Sequence, residues 1–319
     1  MLNLRYKLSV VALIWVCVVI ILGAYTRLTD AGLGCPDWPG CFGFLTVPTE
    51  VAHVEQAEAN FPGIEVQAHK AWNEMIHRYF AGSLGLIILA MFVLSIKAKQ
   101  HVKLNTLMLI TVCFQAVLGA WTVTMNLMPL VVMGHLLGGF TTFTLILIQV
   151  LRLRRQRSVA NGELQDYSAP VAADSKLKTL LKVTFAVVVL QIALGGWTAA
   201  NYASVACTTL PVCEPGWTNK FDLDQALSIP NGHADYEYGV FPYEARMTIH
   251  ILHRFGALLA TIAIASLILV MFRHAQLRAF AIMIGAVTLL QIALGISNVV
   301  FHLPLYVAVA HNFVGLLLL

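Results

Sequence analysis

Apolar residues in this chain form long unbroken runs rather than amphipathic stripes, near 8–29, 73–96, 104–126, 130–151, 179–200, 247–272, 277–300 and from 304 onward. A hydrocarbon core roughly 30 Å thick needs about 20 apolar residues per crossing, and polar connections separate the runs at that interval. The pattern predicts an all-α integral membrane protein with eight transmembrane helices. The eighth run starts at Pro304 and the sequence stops at Leu319, so the last helix is expected to be incomplete.

Composition agrees, since 59% of residues are hydrophobic and 11% charged, too apolar for a soluble globule at about 45–50%. Charge adds direction. Fourteen of the twenty Lys and Arg residues fall in alternate connections (Arg5, Lys7, Lys97, Lys99, Lys103, Arg152, Arg154, Arg155, Arg157, Lys176, Lys178, Lys182, Arg273 and Arg278). Cytoplasmic loops keep positive charge, so that side and both termini are expected in the cytoplasm of a bacterial-type inner (cell) membrane. The net charge of +4 is thus a topology signal and gives no reason to expect nucleic acid.

The chain repeats itself. His77-Arg78 returns as His253-Arg254 and His135 as His311, each 176 positions later; Gln115 and Leu118-Gly119 return as Gln291 and Leu294-Gly295 at the same displacement. Gly23, Thr26, Cys35 and Cys41 return as Gly195, Thr198, Cys207 and Cys213, displaced by 172. The first helix resembles a secretory signal, but these matches make it part of the repeated unit. Four helices per unit imply two four-helix bundles in parallel orientation, related by a pseudo-two-fold axis along the membrane normal. The expected division is 1–151, a polar cytoplasmic linker over 152–178, and 179–319. Long external loops, Asp30 to Ala71 and Asn201 to Ala245, follow the first helix of each half. Trp72, Trp121 and Trp197 fall near external helix ends and read as interface anchors.

Ionisable groups inside membrane helices are costly and mark function. All four histidines fall five to seven residues from external helix ends, within roughly 4 Å of one level at 1.5 Å per residue. Imidazole suits iron, zinc and copper. Paired histidines on facing helices leave a planar gap that fits a macrocycle, so His77 with His135 and His253 with His311 read as two pairs of haem ligands. Glycines at this level (Gly82, Gly119, Gly134, Gly138, Gly295) suit either a porphyrin or close helix packing. Arg78 and Arg254 fit propionate pairing and snorkelling equally. Arg27 has no counterpart, because Ala199 stands 172 positions on. Glu74 lies one turn before His77, where the second half has His250. A carboxylate beside one site only is a candidate acid, base or water-positioning group; its plainer reading is a solvated residue at a helix start.

Cys17 and Cys113 read as small hydrophobes within helices. Cys35 with Cys41 and Cys207 with Cys213 share a spacing in external loops, where an oxidising compartment favours disulfides. A clamp is the reading for Cys207 and Cys213. For Cys35 and Cys41 a clamp and a redox role both stand. Zinc lacks a finger-like ligand pattern.

With these residues in place, the chain resembles the haem A synthase family over nearly its whole length. The resemblance rests on GAYTRLTDAGLGCPDWPGC ahead of NEMIHR, GGWTAANYASVACTTLPVC ahead of EARMTIHILHRFGA, and His135 and His311. It implies a membrane haem-dependent oxidoreductase that oxidises a methyl group of haem O to a formyl group, through hydroxylation and loss of water. On this resemblance His77 and His135 are the axial ligands of the substrate haem, His253 and His311 ligate a haem b iron, and Glu74 is the catalytic carboxylate. Arg27, Arg78 and Arg254 are propionate candidates, and both cysteine pairs match. Haem sites toward the external side, contact with membrane lipid and with the haem O-producing enzyme, and a homo-oligomer accord with it. The electron acceptor and the oxygen source are not legible. A di-haem bis-histidine electron-transfer cytochrome is the alternative; it needs the histidines but neither Glu74 nor the cysteines.

Overall fold

The structure, a computed structural model, describes residues 1–162 and 175–319. Among these, seven helices are long and apolar enough to cross a membrane and no strand forms. The chain is a multi-pass membrane protein, all-α in class.

In chain order the helices are α1 (Leu2–Leu28), α2 (Val51–Asn60), α3 (Ala68–Ala98), α4 (Val102–Thr124), α5 (Pro129–Ala160), α6 (Ser175–Ala200), α7 (Leu223–Leu227), α8 (Tyr243–Met271), α9 (Arg278–Val300) and α10 (Leu305–Leu317). The short α2 and α7 lie in the two long loops. The eighth apolar run forms α10, which at 13 residues is shorter than the seven membrane-length helices. Helix α5 runs past the expected boundary at 151 because Arg152 to Ala160 contains no Gly or Pro; it ends ahead of Gly162, whose φ is +73°. The middle of the expected linker, 163–174, lies outside the described residues.

Two compact units divide the described residues, one within Met1–Leu127 and Gly134–Ser168, the other within Met128–Met133 and Ala169–Leu319. In the first, α1 packs on α3 and α3 on α4. Trp15 stacks on Phe80 at 4.9 Å between centroids and donates its indole N–H to Ser83 Oγ at 2.8 Å. At the other end of α1, the buried Arg5 guanidinium donates to the Gln100 side chain and carbonyl at 3.0 and 2.9 Å, tying α1 to the α3–α4 turn. In the second unit α8 packs between α6 and α9, and α9 packs on α10.

Four helix ends share one closure. Ala31, Leu127, Ala203 and Leu303 donate their N–H groups to the carbonyls of Thr26, Thr122, Thr198 and Asn298, five residues back, at 2.8–3.0 Å. The residue before each donor (Asp30, Asn126, Tyr202, His302) is left-handed, with φ between 49° and 56°. These are Schellman-type stops, and they occupy matching places in the two halves. Trp197 departs from its expected place at the lipid interface. It is 8% exposed and donates Nε1–H to Ala226 O at 2.9 Å, because the loop carrying α7 folds over it. Trp72 and Trp121 are 38% and 44% exposed, in keeping with anchoring.

Candidate functional site

The first unit brings His77 of α3 and His135 of α5 together, ring centroids 6.4 Å apart with planes at 89°. A metal–imidazole nitrogen bond is about 2.0–2.1 Å. Allowing for the ring radius, one ion between two imidazoles separates the centroids by roughly the same distance. His77 is backed by Gly23 of α1, where a Cβ would lie 2.9 Å from its Cε1, and His135 by Gly119 of α4 at 3.4 Å. In the second unit His253 of α8 is backed by Gly195 of α6 at 3.0 Å, and His311 of α10 by Gly295 of α9 at 3.1 Å; the two rings lie within electrostatic range of each other. Nδ1 of His77, His135 and His311 is buried without a hydrogen-bond partner among the described residues.

A buried unpaired polar atom is costly, so three such rings gathered in apolar helices call for a partner. Nitrogen donors in two pairs backed by glycine, the first pair spaced for one ion, fit a ligated iron and the haem around it. Of the glycines expected to matter, Gly119 and Gly295 face the histidines and Gly138 faces Gln115, whereas nothing lies within 4 Å of a Cβ at Gly82 or Gly134.

Glu74 is not a solvated helix-start residue. It is 5% exposed, pairs with Arg78 one turn later, and its Oε2 accepts the Cys35 N–H at 2.9 Å. Cys35 is bonded to Cys41, and the loop between them is held from two sides. Arg78 donates to the carbonyls of Asp37 at 2.9 Å and Gly40 at 2.5 Å, and Asp37 accepts the N–H groups of Phe42 and Gly43 at 2.6 and 2.8 Å. Gly34 is required at the loop start, since a Cβ there would lie 2.6 Å from the Lys70 backbone.

The second unit builds the same cradle with other chemistry. Cys207 is bonded to Cys213, and its N–H points to His250 Nδ1 at 3.4 Å. Arg254 donates to the carbonyls of Cys207 and Thr209, each at 2.7 Å, and to that of Val212. The guanidinium groups of Arg78 and Arg254, candidates for propionate pairing or for snorkelling, take up loop carbonyls. Arg27 lies 4.0 Å from Asp30. Cys17 is part-buried and Cys113 exposed within their helices, as small hydrophobes.

Sequence reasoning missed Asp37 and Gln191. Gln191 Nε2 lies 3.0 Å from His253 Nδ1 and donates to the His253 carbonyl at 3.0 Å. The signal was there: the glycine backing each histidine ends a five-residue string, VIILG at 19–23, QAVLG at 115–119, QIALG at 191–195 and QIALG at 291–295.

Comparison with known proteins gives the same direction. The profile of a family described as cytochrome oxidase assembly protein, COX15-CtaA, matches residues 6–319. A protein named "Heme A synthase" from Shewanella oneidensis is 46% identical over 95% of this chain and 89% of its own length. Proteins of that name from Agrobacterium fabrum and a Chelativorans species are 27% and 26% identical, over 99% and 94% of this chain and 87% and 84% of theirs. The chain belongs to the COX15-CtaA family of cytochrome oxidase assembly proteins.

Proposed function

We propose that this protein is a haem A synthase, a membrane oxidoreductase that converts a methyl group of haem O into the formyl group of haem A. Family membership and relatives of that name support the reading. The observation that carries the site assignment is the asymmetry at one helical position: a buried carboxylate, Glu74, one turn before His77, against His250 one turn before His253.

In this reading His77 and His135 hold the substrate haem O, and His253 and His311 hold a haem b. Bound haem b supplies a one-electron redox centre. Glu74 lies about 4.5 Å along the α3 axis from His77, close enough for its carboxylate to orient a water or take up a proton at the porphyrin rim. Arg78 and the Cys35 N–H fix the carboxylate's direction, so it is aimed before substrate arrives. The glycines keep the imidazoles at their depth, and the Cys35–Cys41 and Cys207–Cys213 loops cap the two sites.

The same reading carries the finer architecture. Residues 1–151 and 179–319 are repeated four-helix bundles, with α10 as the eighth crossing segment; the matched helix stops, disulfide loops and glycine–histidine contacts support it. The Lys and Arg distribution supports a cytoplasmic location for both termini and the linker, with the haem sites toward the outside. Lipid surrounds the helices, and the haem O-producing enzyme is the natural donor of so insoluble a substrate.

Pigment extraction from cells making this protein beside a haem O source tests the activity. Haem A in the extract is the expected result. Haem O and haem b alone, from protein that retains both bound, would overturn the reading in favour of a di-haem electron carrier.

A further inference from the structure

We infer that Gln191 is a positioning residue that locks His253 as a permanent haem ligand. The inference deepens the proposed function and rests on its assignment of the two histidine pairs.

Three of the four strings that end in a histidine-facing glycine begin with glutamine, and in each the glutamine lies one turn from the glycine, on the same helix face. Each amide is wedged against a second glycine on the histidine's own helix, three or four residues beyond the ring. A Cβ at Gly138 would lie 1.8 Å from Gln115 Nε2, one at Gly256 would lie 2.2 Å from Gln191 Oε1, and one at Gly315 would lie 3.2 Å from Gln291 Nε2. Glutamine and glycine together therefore form a socket across each helix pair.

The fourth string lacks both parts. Val19 has no side-chain hydrogen-bonding group, and three and four residues beyond His77 stand Phe80 and Ala81, with Phe80 stacked on Trp15. Nδ1 of His77, His135 and His311 is buried without a partner among the described residues, whereas His253 Nδ1 has the Gln191 amide at 3.0 Å. An imidazole that gives one nitrogen to a metal is oriented by the hydrogen bond at the other. An amide can meet that nitrogen as acceptor or donor by a half-turn of its end group. In the present orientation the same Nε2 donates to the His253 carbonyl, a bond that the half-turn would give up. Gln291 Nε2 lies 3.4 Å from the other ring nitrogen of His311, Nε2, so the Nδ1 contact made by Gln191 is not repeated there.

The test uses the full-length protein purified with its haem b. Gln191→Met keeps the side-chain length and removes the hydrogen bonds; Gln191→Glu restores an acceptor. Transfer of haem to excess apomyoglobin should be at least tenfold faster from Gln191→Met, with a changed low-spin electron paramagnetic resonance signal. Gln191→Glu should return the transfer rate toward wild type and lower the midpoint potential, because a carboxylate acceptor makes the imidazole more basic. Wild-type transfer rate and signal in Gln191→Met would overturn the inference. His253→Ala is run in parallel: an unchanged haem b spectrum there would instead overturn the ligand assignment. Should Gln191→Met not fold, Gln191→Glu decides alone, since a potential equal to wild type would deny contact with the ligand.

Discussion

At Cys35 and at Cys207 the first N–H of a disulfide loop meets a side chain from the helix below, but the acceptors differ: a carboxylate in one unit, an imidazole nitrogen in the other. One turn on, Arg78 and Arg254 hold the loop carbonyls in both. What the two units share is a cradle, and what separates them is charge. Glu74 with Arg78 is a buried ion pair; His250 with Arg254 is not. Burying a carboxylate is justified structurally only if its bonds are complete, and a neutral ring anchors the second loop without it. In the proposed reading the carboxylate has a task beyond anchoring.

The sharpest way to break this comparison is to remove a ligand from each unit. His77→Ala should abolish haem A formation while leaving the co-purified haem b spectrum in place, and His253→Ala should remove that spectrum. Indistinguishable spectra and pigments from the two variants would erase the division of labour.

Next comes Glu74→Gln. The amide oxygen can still accept the Cys35 N–H, so the loop keeps its anchor while the charge is lost. A general acid or base contributes about 10² to 10⁴ in rate, and haem A yield per protein should fall by that order with haem b retained. Normal yield would reduce Glu74 to a loop anchor, equivalent to His250.

Much of this was legible beforehand. Apolar runs gave the helices because lipid admits so few alternatives, and the displacement of 176 paired the histidines. The cradles were not legible. Arg78 read as a propionate or snorkelling residue and Glu74 as a candidate acid or base or a helix-start residue, because nothing in one dimension shows a loop folding back across 39 to 41 positions onto a helix. The burial of Trp197 under α7 was hidden for the same reason. The glutamine sockets were written in the strings before each glycine, but two matching glutamines drew notice as a repeat rather than as neighbours of the rings.

A third measurement uses stability. Arg78→Ala strands a buried carboxylate, which costs about 3–5 kcal/mol. Arg254→Ala leaves only loop carbonyls unmet, about 1–3 kcal/mol. Thermal unfolding in detergent should rank Arg78→Ala well below Arg254→Ala; equal midpoints would mean that the Glu74 charge is solvated.

The smallest effect belongs to the second loop alone. Glu214 accepts a hydrogen bond from Tyr243, which with its neighbour Lys220 holds its pKa below the usual value. A lowered carboxyl pKa adds stability that is present above the unfolded value, about 4.3, and lost as pH falls through the folded one. Tyr243→Phe should therefore slightly reduce stability near neutrality and flatten its acid dependence below about pH 5. An acid dependence unchanged from wild type would remove this contact from the comparison.

The glycine contacts of the histidines also act as ratchet stops between helices. Sliding α1 along α3 by one turn, 5.4 Å, would bring Val19 or Arg27 against the His77 ring where only Gly23 fits. Rotating α1 would present Leu22 or Ala24 instead. The α1–α3 seam is thus jammed against both motions, and the α4–α5 seam is jammed by Gly119 on His135. At the other end of α1, Arg5 grips the Lys99–His101 turn through Gln100, so the same helix is pinned at both ends.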